Sequence, residues 1–164
     1  MRPAAFQRAT SADVGGTLRK AVSIRRILIV DDDANQRRLV REHLRELDDV
    51  ELHEASDAQE GLQAARRLRP AVTVCDWVMP GGGGLGLCRA IAEDPDLTAT
   101  RVVMLTGLAD PRDAHTARQA GASAFLLKPA APEELRDVVR ECLAGRRRFV
   151  RQAPMSRGSC PGAG

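Results

Sequence analysis

The middle of the chain alternates short apolar runs with longer segments in which apolar residues recur at helical spacing. The clearest run, Ile27 to Val30, precedes three aspartates and predicts a strand that is buried on both faces. Val50-Glu51-Leu52-His53 alternates between apolar and polar residues, which predicts a half-exposed strand at the edge of a sheet. Further apolar runs predict strands at residues 72–75, 102–105 and 124–127.

Each apolar run is followed by a segment that predicts a helix. Residues 34–47 place Val40, Leu44 and Leu47 on one face, and Ser56 is expected to cap the next helix. The remaining helices are expected around residues 85–91, 110–120 and 135–143, and the last shows the clearest periodicity. Five strands that alternate with five helices predict an α/β domain, with a parallel sheet covered by helices on both faces.

The net charge of the 164-residue chain is +3, from 25 basic and 22 acidic side chains, but it is unevenly distributed. Residues 1–24 carry four basic side chains and one aspartate, and residues 146–164 carry five arginines and no acid. The body between them is therefore acidic. We interpret residues 1–24 as a flexible tail, 25–145 as the folded domain and 146–164 as a basic flexible tail. This distribution does not favour nucleic acid as a partner.

Several classes of protein are excluded by composition. No stretch approaches the roughly 20 apolar residues of a membrane span, and the first residues lack the apolar run of a secretory signal. The four cysteines, at positions 75, 88, 142 and 160, form no CxxC pair, which argues against a zinc cluster or a disulfide scaffold. We therefore expect a cytoplasmic protein that does not interact with membranes.

Polar residues follow the predicted strands at their carboxyl ends. These residues are Asp31, Asp32 and Asp33 after the first strand, then Asp76, Thr106 and Lys128. In a parallel α/β sheet the functional crevice lies at this edge, so we expect the side chains to gather there. Clustered carboxylates suit Mg²⁺, and a carboxylate beside Mg²⁺ can attack phosphorus, while an ammonium and a hydroxyl stabilise the transferred oxygens. The inventory predicts metal-assisted phosphoryl transfer onto an aspartate.

Four motifs in this order, ILIVDDD, VTVCDWVMPGGG, VVMLTG and FLLKP, resemble those of the receiver domain of two-component response regulators. The resemblance covers residues 25–145 and is nearest to single-domain receivers of the chemotaxis type. It implies a flavodoxin-like doubly wound (βα)5 fold, with a five-stranded parallel sheet in the order 2-1-3-4-5. It also implies that the chain is not an enzyme beyond its own phosphorylation and slow dephosphorylation.

The resemblance assigns the acidic residues to phosphorylation and metal binding. Asp76 matches the phosphoacceptor aspartate, which also contributes to the metal site. Asp32 matches the residue that binds Mg²⁺ directly, and Asp31 matches its partner, which often binds through water. The backbone carbonyl of Val78 matches the remaining protein ligand. Asp33 stands next to the first helix and is interpreted as a helix cap.

The resemblance also implies a switch. Lys128 matches the lysine that contacts the phosphoryl group, and Thr106 matches the hydroxyl residue that moves toward that group. Phe125 matches the aromatic switch position, although an apolar residue in a strand is equally expected to pack in the core. Phosphorylation would then reshape the face formed by the fourth helix, the fifth strand and the fifth helix.

Two departures from the family pattern have consequences. The loop after Met79-Pro80 contains four consecutive glycines, with Gly83-Gly84 where the family usually has Asp-Gly, so we expect it to be mobile. Val78 and Leu108 are apolar at positions that tune self-dephosphorylation in the family. Because neither side chain can orient an attacking water, we expect a long-lived phosphoryl group.

We interpret the chain as a stand-alone receiver, since only residues 146–164 follow the last predicted helix. Its expected partners are a histidine kinase or phosphotransfer protein and an unidentified output protein, with a phosphorylation-linked homodimer as a further expectation. Two alternatives stay open. The chain could be a degenerate receiver that binds proteins without taking phosphate, or the receiver part of a longer regulator or hybrid kinase.

Overall fold

The computed structural model describes residues 23–107 and 110–149 as a single parallel sheet flanked by helices. In chain order the elements are β1 Arg25–Val30, α1 Ala34–Leu44, β2 Val50–Ala55, α2 Ala58–Leu68, β3 Val72–Asp76, α3 Gly83–Glu93, β4 Arg101–Thr106, α4 Pro111–Gln119, β5 Ala124–Leu127, α5 Pro132–Leu143 and β6 Arg148–Phe149. The five predicted strands lie in the order β2-β1-β3-β4-β5 and pair in parallel, which confirms the predicted fold class.

A two-residue strand extends this sheet beyond the five predicted strands. β6 pairs in parallel with β5, so that Arg148 lies opposite Ala124 and Phe149 lies opposite Phe125. The chain returns to the sheet through Gly145, whose positive φ of 79° is a conformation that favours glycine. Residues 148–149, which were predicted to belong to the flexible basic tail, therefore pair with the sheet.

The strand period of two distributes the core over both faces of the sheet. Leu28 and Val30 of β1 pack with apolar residues of α2, α3 and α4. Ile27 and Ile29 pack on the opposite face with residues of α1 and α5. This two-sided burial explains why β1 is continuously apolar. The edge strand β2 instead exposes Glu51 and leaves Val50, Leu52 and His53 half-buried, as expected of a half-exposed edge strand, and it also exposes Glu54.

The helix caps confirm one expectation and correct another. Asp33 caps α1, because its carboxylate accepts a hydrogen bond from the Asn35 amide at 2.8 Å. The prediction that Ser56 caps α2 is wrong, since the cap is Asp57, whose carboxylate accepts from the Glu60 amide at 2.8 Å. The Glu60 carboxylate reaches back to the amide and hydroxyl of Ser56, each at 2.7 Å. The arrangement differs from a capping box in one partner, because Glu60 accepts from the residue before the cap and not from the amide of Asp57 itself.

No helix within residues 23–107 and 110–149 combines the length and the apolar composition that a membrane span requires. Polar contacts also connect helix α5 to the end of α1. Arg136 of α5 is 8% exposed, and its guanidinium donates to the backbone carbonyl of His43 in α1 at 3.2 Å. It also pairs with Glu46 at 3.0 Å and with Glu133 at 3.2 Å. Arg136 therefore ties α5 to the carboxyl end of α1.

We expect Arg136→Met to lower the free energy of unfolding by about 1–3 kcal/mol, because charge-assisted bonds of a buried group are lost while its apolar stem is kept. Urea denaturation of the purified chain measures this change. Arg140→Met is the matched control on the same helix, since Arg140 is 54% exposed and its ion pair within the described residues is with Asp137. We expect it to cost less than about 0.5 kcal/mol, and equal losses in the two variants would contradict the role of Arg136.

Candidate functional site

Three carboxylates meet at the carboxyl edge of the sheet, as predicted from the strand ends. β1 and β3 are adjacent, and Val30 lies opposite Cys75, so Asp31 and Asp76 emerge side by side. One oxygen from each of Asp31, Asp32 and Asp76 lies within 4.8 Å of the others. Asp31 and Asp76 are buried, with 3% and 8% exposure, whereas Asp32 is exposed. The cluster is therefore anchored in the core and open to solvent on one side.

Lys128 joins two of these carboxylates. Its ammonium lies 2.9 Å from Asp31 Oδ2 and 2.8 Å from Asp76 Oδ1. The lysine follows β5 and is positioned by its backbone amide, which donates to the carbonyl of Thr106 at 2.7 Å. The parallel sheet thus brings together residues that are 97 positions apart in the sequence.

Burial and ion pairing shift the pKa values of Asp76 and Lys128 in opposite directions. Burial raises the pKa of Asp76, and the bond to the Lys128 ammonium offsets only part of that rise. Burial lowers the pKa of Lys128, but the hydrogen bonds to Asp31 and Asp76 outweigh it, so the pKa of the lysine is raised overall. The ammonium therefore keeps its proton at neutral pH and offsets one of the negative charges of the cluster.

Every polar atom of Asp31 has a partner. Oδ1 accepts from the Asp33 amide at 2.9 Å, and Oδ2 accepts from Lys128. The backbone amide donates to the carbonyl of Ala55 at 3.3 Å, and the backbone carbonyl accepts from Arg37 Nη1 at 2.7 Å. Sequence reasoning missed Arg37, because an arginine on a polar helix face carries no pattern that distinguishes it from its neighbours.

Asp76 is held from its own loop as well as by Lys128. The amide of Val78 donates to Asp76 Oδ2 at 3.1 Å, and the amide of Trp77 donates to the carbonyl of Leu105 at 2.8 Å. The second bond continues the pairing of β3 with β4 past Asp76. The side chain of Val78 is 61% exposed, so an apolar group stands in solvent two residues from Asp76.

Thr106 and Phe125 lie on neighbouring strands below this edge. Thr106 ends β4 and is fully buried, and Phe125 lies in β5 with 7% exposure. The rings of Phe125 and Trp77 meet edge to face, with centroids 6.2 Å apart and an interplanar angle of 89°. Phe125 therefore packs in the core and also contacts the residue that follows Asp76.

The donor set fits Mg²⁺. The cluster supplies oxygen ligands only, which is the preference of this hard cation, and the exposure of Asp32 leaves room for the waters that Mg²⁺ retains. Asp31, Asp32 and Asp76 are the side chains that would hold it. Lys128 offsets a single charge of the three, so a net negative charge remains for a cation to neutralise.

The glycine-rich loop after Asp76 has conformations that other residues rarely adopt. Gly81, Gly82 and Gly83 have φ values of 74°, 99° and 64°. Gly84 is required by space, because a Cβ there would overlap the carbonyl oxygen of Asp76 and lie 2.9 Å from Cys75 Sγ. The Gly84 amide also donates to the carbonyl of Trp77 at 3.0 Å. The start of α3 therefore packs directly against the backbone of Asp76.

The structure brings together most of the residues that the sequence singled out. The three aspartates, Lys128 and Val78 form one connected group, with Thr106 and Phe125 in the strands below it. Leu108 and Cys160 lie outside the described residues, as do residues 1–22 and 150–164. The expectations that concern those residues stay predictions.

Comparison with known proteins identifies a family and relatives for this chain. The family described as "Response regulator receiver domain" matches residues 27–140. The protein named "Probable transcriptional regulator ycf27" of Porphyridium aerugineum is 32% identical over 118 residues, which are 72% of this chain and 48% of that protein. Its namesake in Guillardia theta is 34% identical over 118 residues, 72% of this chain and 45% of that protein. The chain thus spans about half the length of the curated relatives it matches.

Solved structures of response regulators superimpose on this chain. A two-component response regulator of the LuxR family from Aurantimonas sp. SI85-9A1 superimposes with a TM-score of 0.71 at 32% identity, covering 78% of this chain and 90% of that one. The chemotaxis protein CheY4 of Vibrio cholerae superimposes with a TM-score of 0.67 at 28% identity, covering 73% of this chain and 98% of that one.

We expect Gly84→Ala to lower the free energy of unfolding by about 2 kcal/mol or more, because the added methyl group overlaps the Asp76 backbone. Gly86→Ala is the matched control in the same helix, where a Cβ would meet nothing within 4 Å. There the lower chain entropy of alanine should stabilise the protein by about 0.5–1 kcal/mol. Chemical denaturation measures both changes, and effects of the same sign would refute the close packing at Gly84.

Proposed function

The chain belongs to the response regulator receiver domain family, and on that premise we propose that Asp76 accepts a phosphoryl group from a histidine kinase or phosphotransfer protein. The observation that carries the proposal is the position of Lys128, which bridges Asp31 and Asp76 at 2.9 and 2.8 Å within a three-carboxylate cluster. Family membership implies a histidine kinase as partner, and a receiver domain is not a conventional enzyme.

The geometry supports a direct transfer. A carboxylate oxygen of Asp76 forms the new bond to phosphorus while the bond from phosphorus to the donor histidine nitrogen breaks. The donor ring, which carries a proton on its other nitrogen, takes the bonding electron pair and leaves as neutral imidazole. Lys128 keeps its bond to Asp31 and exchanges its bond to Asp76 for one to a phosphoryl oxygen. Asp31, Asp32, Asp76 and the Val78 carbonyl would hold Mg²⁺, which would supply positive charge beside the transferred oxygens.

Thr106 and Phe125 form the proposed switch. Phosphorylation draws the Thr106 hydroxyl toward the phosphoryl group, and Phe125 moves into the vacated space. The proposal is supported by their positions on adjacent strands and by the contact of Phe125 with Trp77, the residue after Asp76. The α4–β5–α5 face is the part of the surface that would change, because α4 packs through alanines, which bury little area.

The output of this switch is proposed to be a protein partner. Similarity to a chemotaxis receiver at nearly its full length supports a stand-alone role. The curated relatives are about twice as long as the region that they share with this chain, and they are named as transcriptional regulators, which supports the alternative of a receiver joined to an output domain. A phosphorylation-linked homodimer and a cytoplasmic location complete the proposal. A degenerate module that never takes phosphate is disfavoured by the intact group of Asp32, Asp76, Thr106 and Lys128.

Incubation with a small phosphodonor and Mg²⁺ should attach one phosphoryl group to the wild-type chain and none to Asp76→Asn, because the amide cannot act as the nucleophile. Intact-protein mass spectrometry measures the added mass. Asp57→Asn is the matched control, since Asp57 caps α2 and asparagine is also an effective cap. It should be phosphorylated as the wild type is. An unmodified wild-type chain would favour the degenerate binding module.

The phosphoryl group should persist for minutes or longer without a phosphatase, because the exposed Val78 side chain offers no hydrogen bond to an attacking water. Val78→Asn supplies an amide at this position and should shorten the lifetime severalfold. Val78→Ala is the matched apolar control and should leave the lifetime near that of the wild type. Loss of phosphate followed by mass spectrometry gives the lifetimes, and a wild-type value of seconds would disprove this reasoning.

A further inference from the structure

Arg37 connects the acidic site to the rest of the fold. Its side chain is 17% exposed, and its Nη1 donates to the backbone carbonyl of Asp31 at 2.7 Å. The same guanidinium lies 3.6 Å, through Nε, from the carboxylate of Glu54 near the end of β2. Glu54 is held in turn by Arg41 at 3.0 Å. We name Arg37, Glu54 and the Asp31 carbonyl the Arg37 clamp.

The hydrogen bond from Arg37 is important because the Asp31 carbonyl that accepts it directly precedes Asp32. The C=O of Asp31 and the N–H of Asp32 belong to one planar peptide unit, so fixing the carbonyl also fixes the plane from which Asp32 departs. Asp31 is held by its buried carboxylate as well, through Lys128 and the Asp33 amide. Asp32 is exposed, so core packing does not hold it in place. Its orientation depends on the peptide plane that the Arg37 clamp fixes.

We propose that Arg37 is a positioning residue for the metal site, which fixes the Asp31–Asp32 peptide plane and so holds the Asp32 carboxylate where it meets those of Asp31 and Asp76. The inference rests on the proposed function, since it concerns the affinity of this cluster for Mg²⁺. Arg37 itself is not proposed to contact the phosphoryl group or the metal. It acts through backbone atoms of a ligand residue, which is how outer groups commonly orient metal ligands.

Electrostatic repulsion alone predicts that removing Arg37 strengthens Mg²⁺ binding, whereas loss of a positioning residue weakens it. The direction of the change in affinity therefore distinguishes the two explanations. A guanidinium near a divalent cation repels it, so removing the charge would tighten Mg²⁺ binding if charge alone mattered. The pairing with Glu54 reduces that repulsion. If Arg37 positions the site, removing it weakens binding instead, because Asp32 is no longer held in the cluster.

The experiment is a Mg²⁺ titration of the full chain, monitored by the fluorescence of Trp77, which is the single tryptophan and follows Asp76. Arg37→Met keeps the apolar stem and removes the donors, and we expect the dissociation constant for Mg²⁺ to rise about tenfold. Arg41→Met is the matched control, because it removes the same charge one turn later and a partner of the same Glu54. We expect it to change the constant by less than about twofold.

Two further variants separate positioning from a general structural role. Arg37→Lys keeps the charge and one donor, so it should recover part of the lost affinity. Asp32→Asn weakens binding by removing a ligand, and adding Arg37→Met to it should cause little additional loss if Arg37 acts through Asp32. Full additivity in this cycle, or a lysine variant no better than the methionine variant, would overturn the inference.

The failures of the two proposals are distinguishable. An Arg37→Met chain that binds Mg²⁺ as tightly as the wild type, or more tightly, overturns the positioning role and leaves the proposed function intact. A wild-type chain that shows no Mg²⁺-dependent change, either in Trp77 emission or in thermal unfolding, overturns the proposed function itself. Thermal unfolding without Mg²⁺ confirms that each variant is folded. If Arg37→Met is unfolded, the comparison of Arg37→Lys with wild type decides, and equal affinity overturns the inference.

Discussion

The ammonium of Lys128 lies between two buried carboxylates, and the architecture around it follows from that arrangement. Asp31 and Asp76 are almost inaccessible to solvent, so their negative charges repel each other with little screening. Lys128 relieves the repulsion at 2.9 and 2.8 Å. The lysine follows β5 while the carboxylates follow β1 and β3, so the pairing requires that strands distant in the sequence end at the same edge. A parallel sheet with helical crossovers meets that requirement.

The neighbours of this cluster act mainly through the backbone. Gly84 lets α3 pack against the Asp76 carbonyl, and the Val78 amide holds the Asp76 carboxylate. Arg37 holds the Asp31 carbonyl from α1. The positions of the reactive oxygens are therefore set by peptide groups that secondary structure already orients. Few side chains then need to be ordered when a ligand binds. The more open part of the site, around Asp32, is where solvent and an incoming partner have access.

Two kinds of feature could be predicted from sequence. One is an element with a regular apolar pattern, and the other is a polar residue that directly follows a predicted strand. Buried strands reveal themselves as apolar runs, and strand-end polar residues then follow from topology, which is why the predicted cluster of Asp31, Asp76 and Lys128 is present. Ser56 and Asp57 are both good cap residues, so the sequence alone does not choose between them, and in the structure Asp57 caps α2 while Ser56 donates to the Glu60 carboxylate. β6 consists of two residues in an arginine-rich segment and has no pattern of its own. Arg37 was missed because a backbone carbonyl as a partner leaves no trace in sequence spacing.

Several basic residues of the folded body are paired with acidic ones, which helps to explain why the positive net charge is a poor guide to function. Arg26 pairs with Glu51, Arg66 pairs with Asp94, and Arg69 pairs with Asp96, each joining segments well separated in the chain. Charges neutralised in this way do not form the one-signed surface that would attract a polyanion. The proposed recognition of a phosphoryl group instead depends on a small site that is itself acidic. Such a site favours a phosphoryl group only when cations accompany it, so the proposed dependence on Mg²⁺ follows from the same charge balance that places Lys128 at its centre.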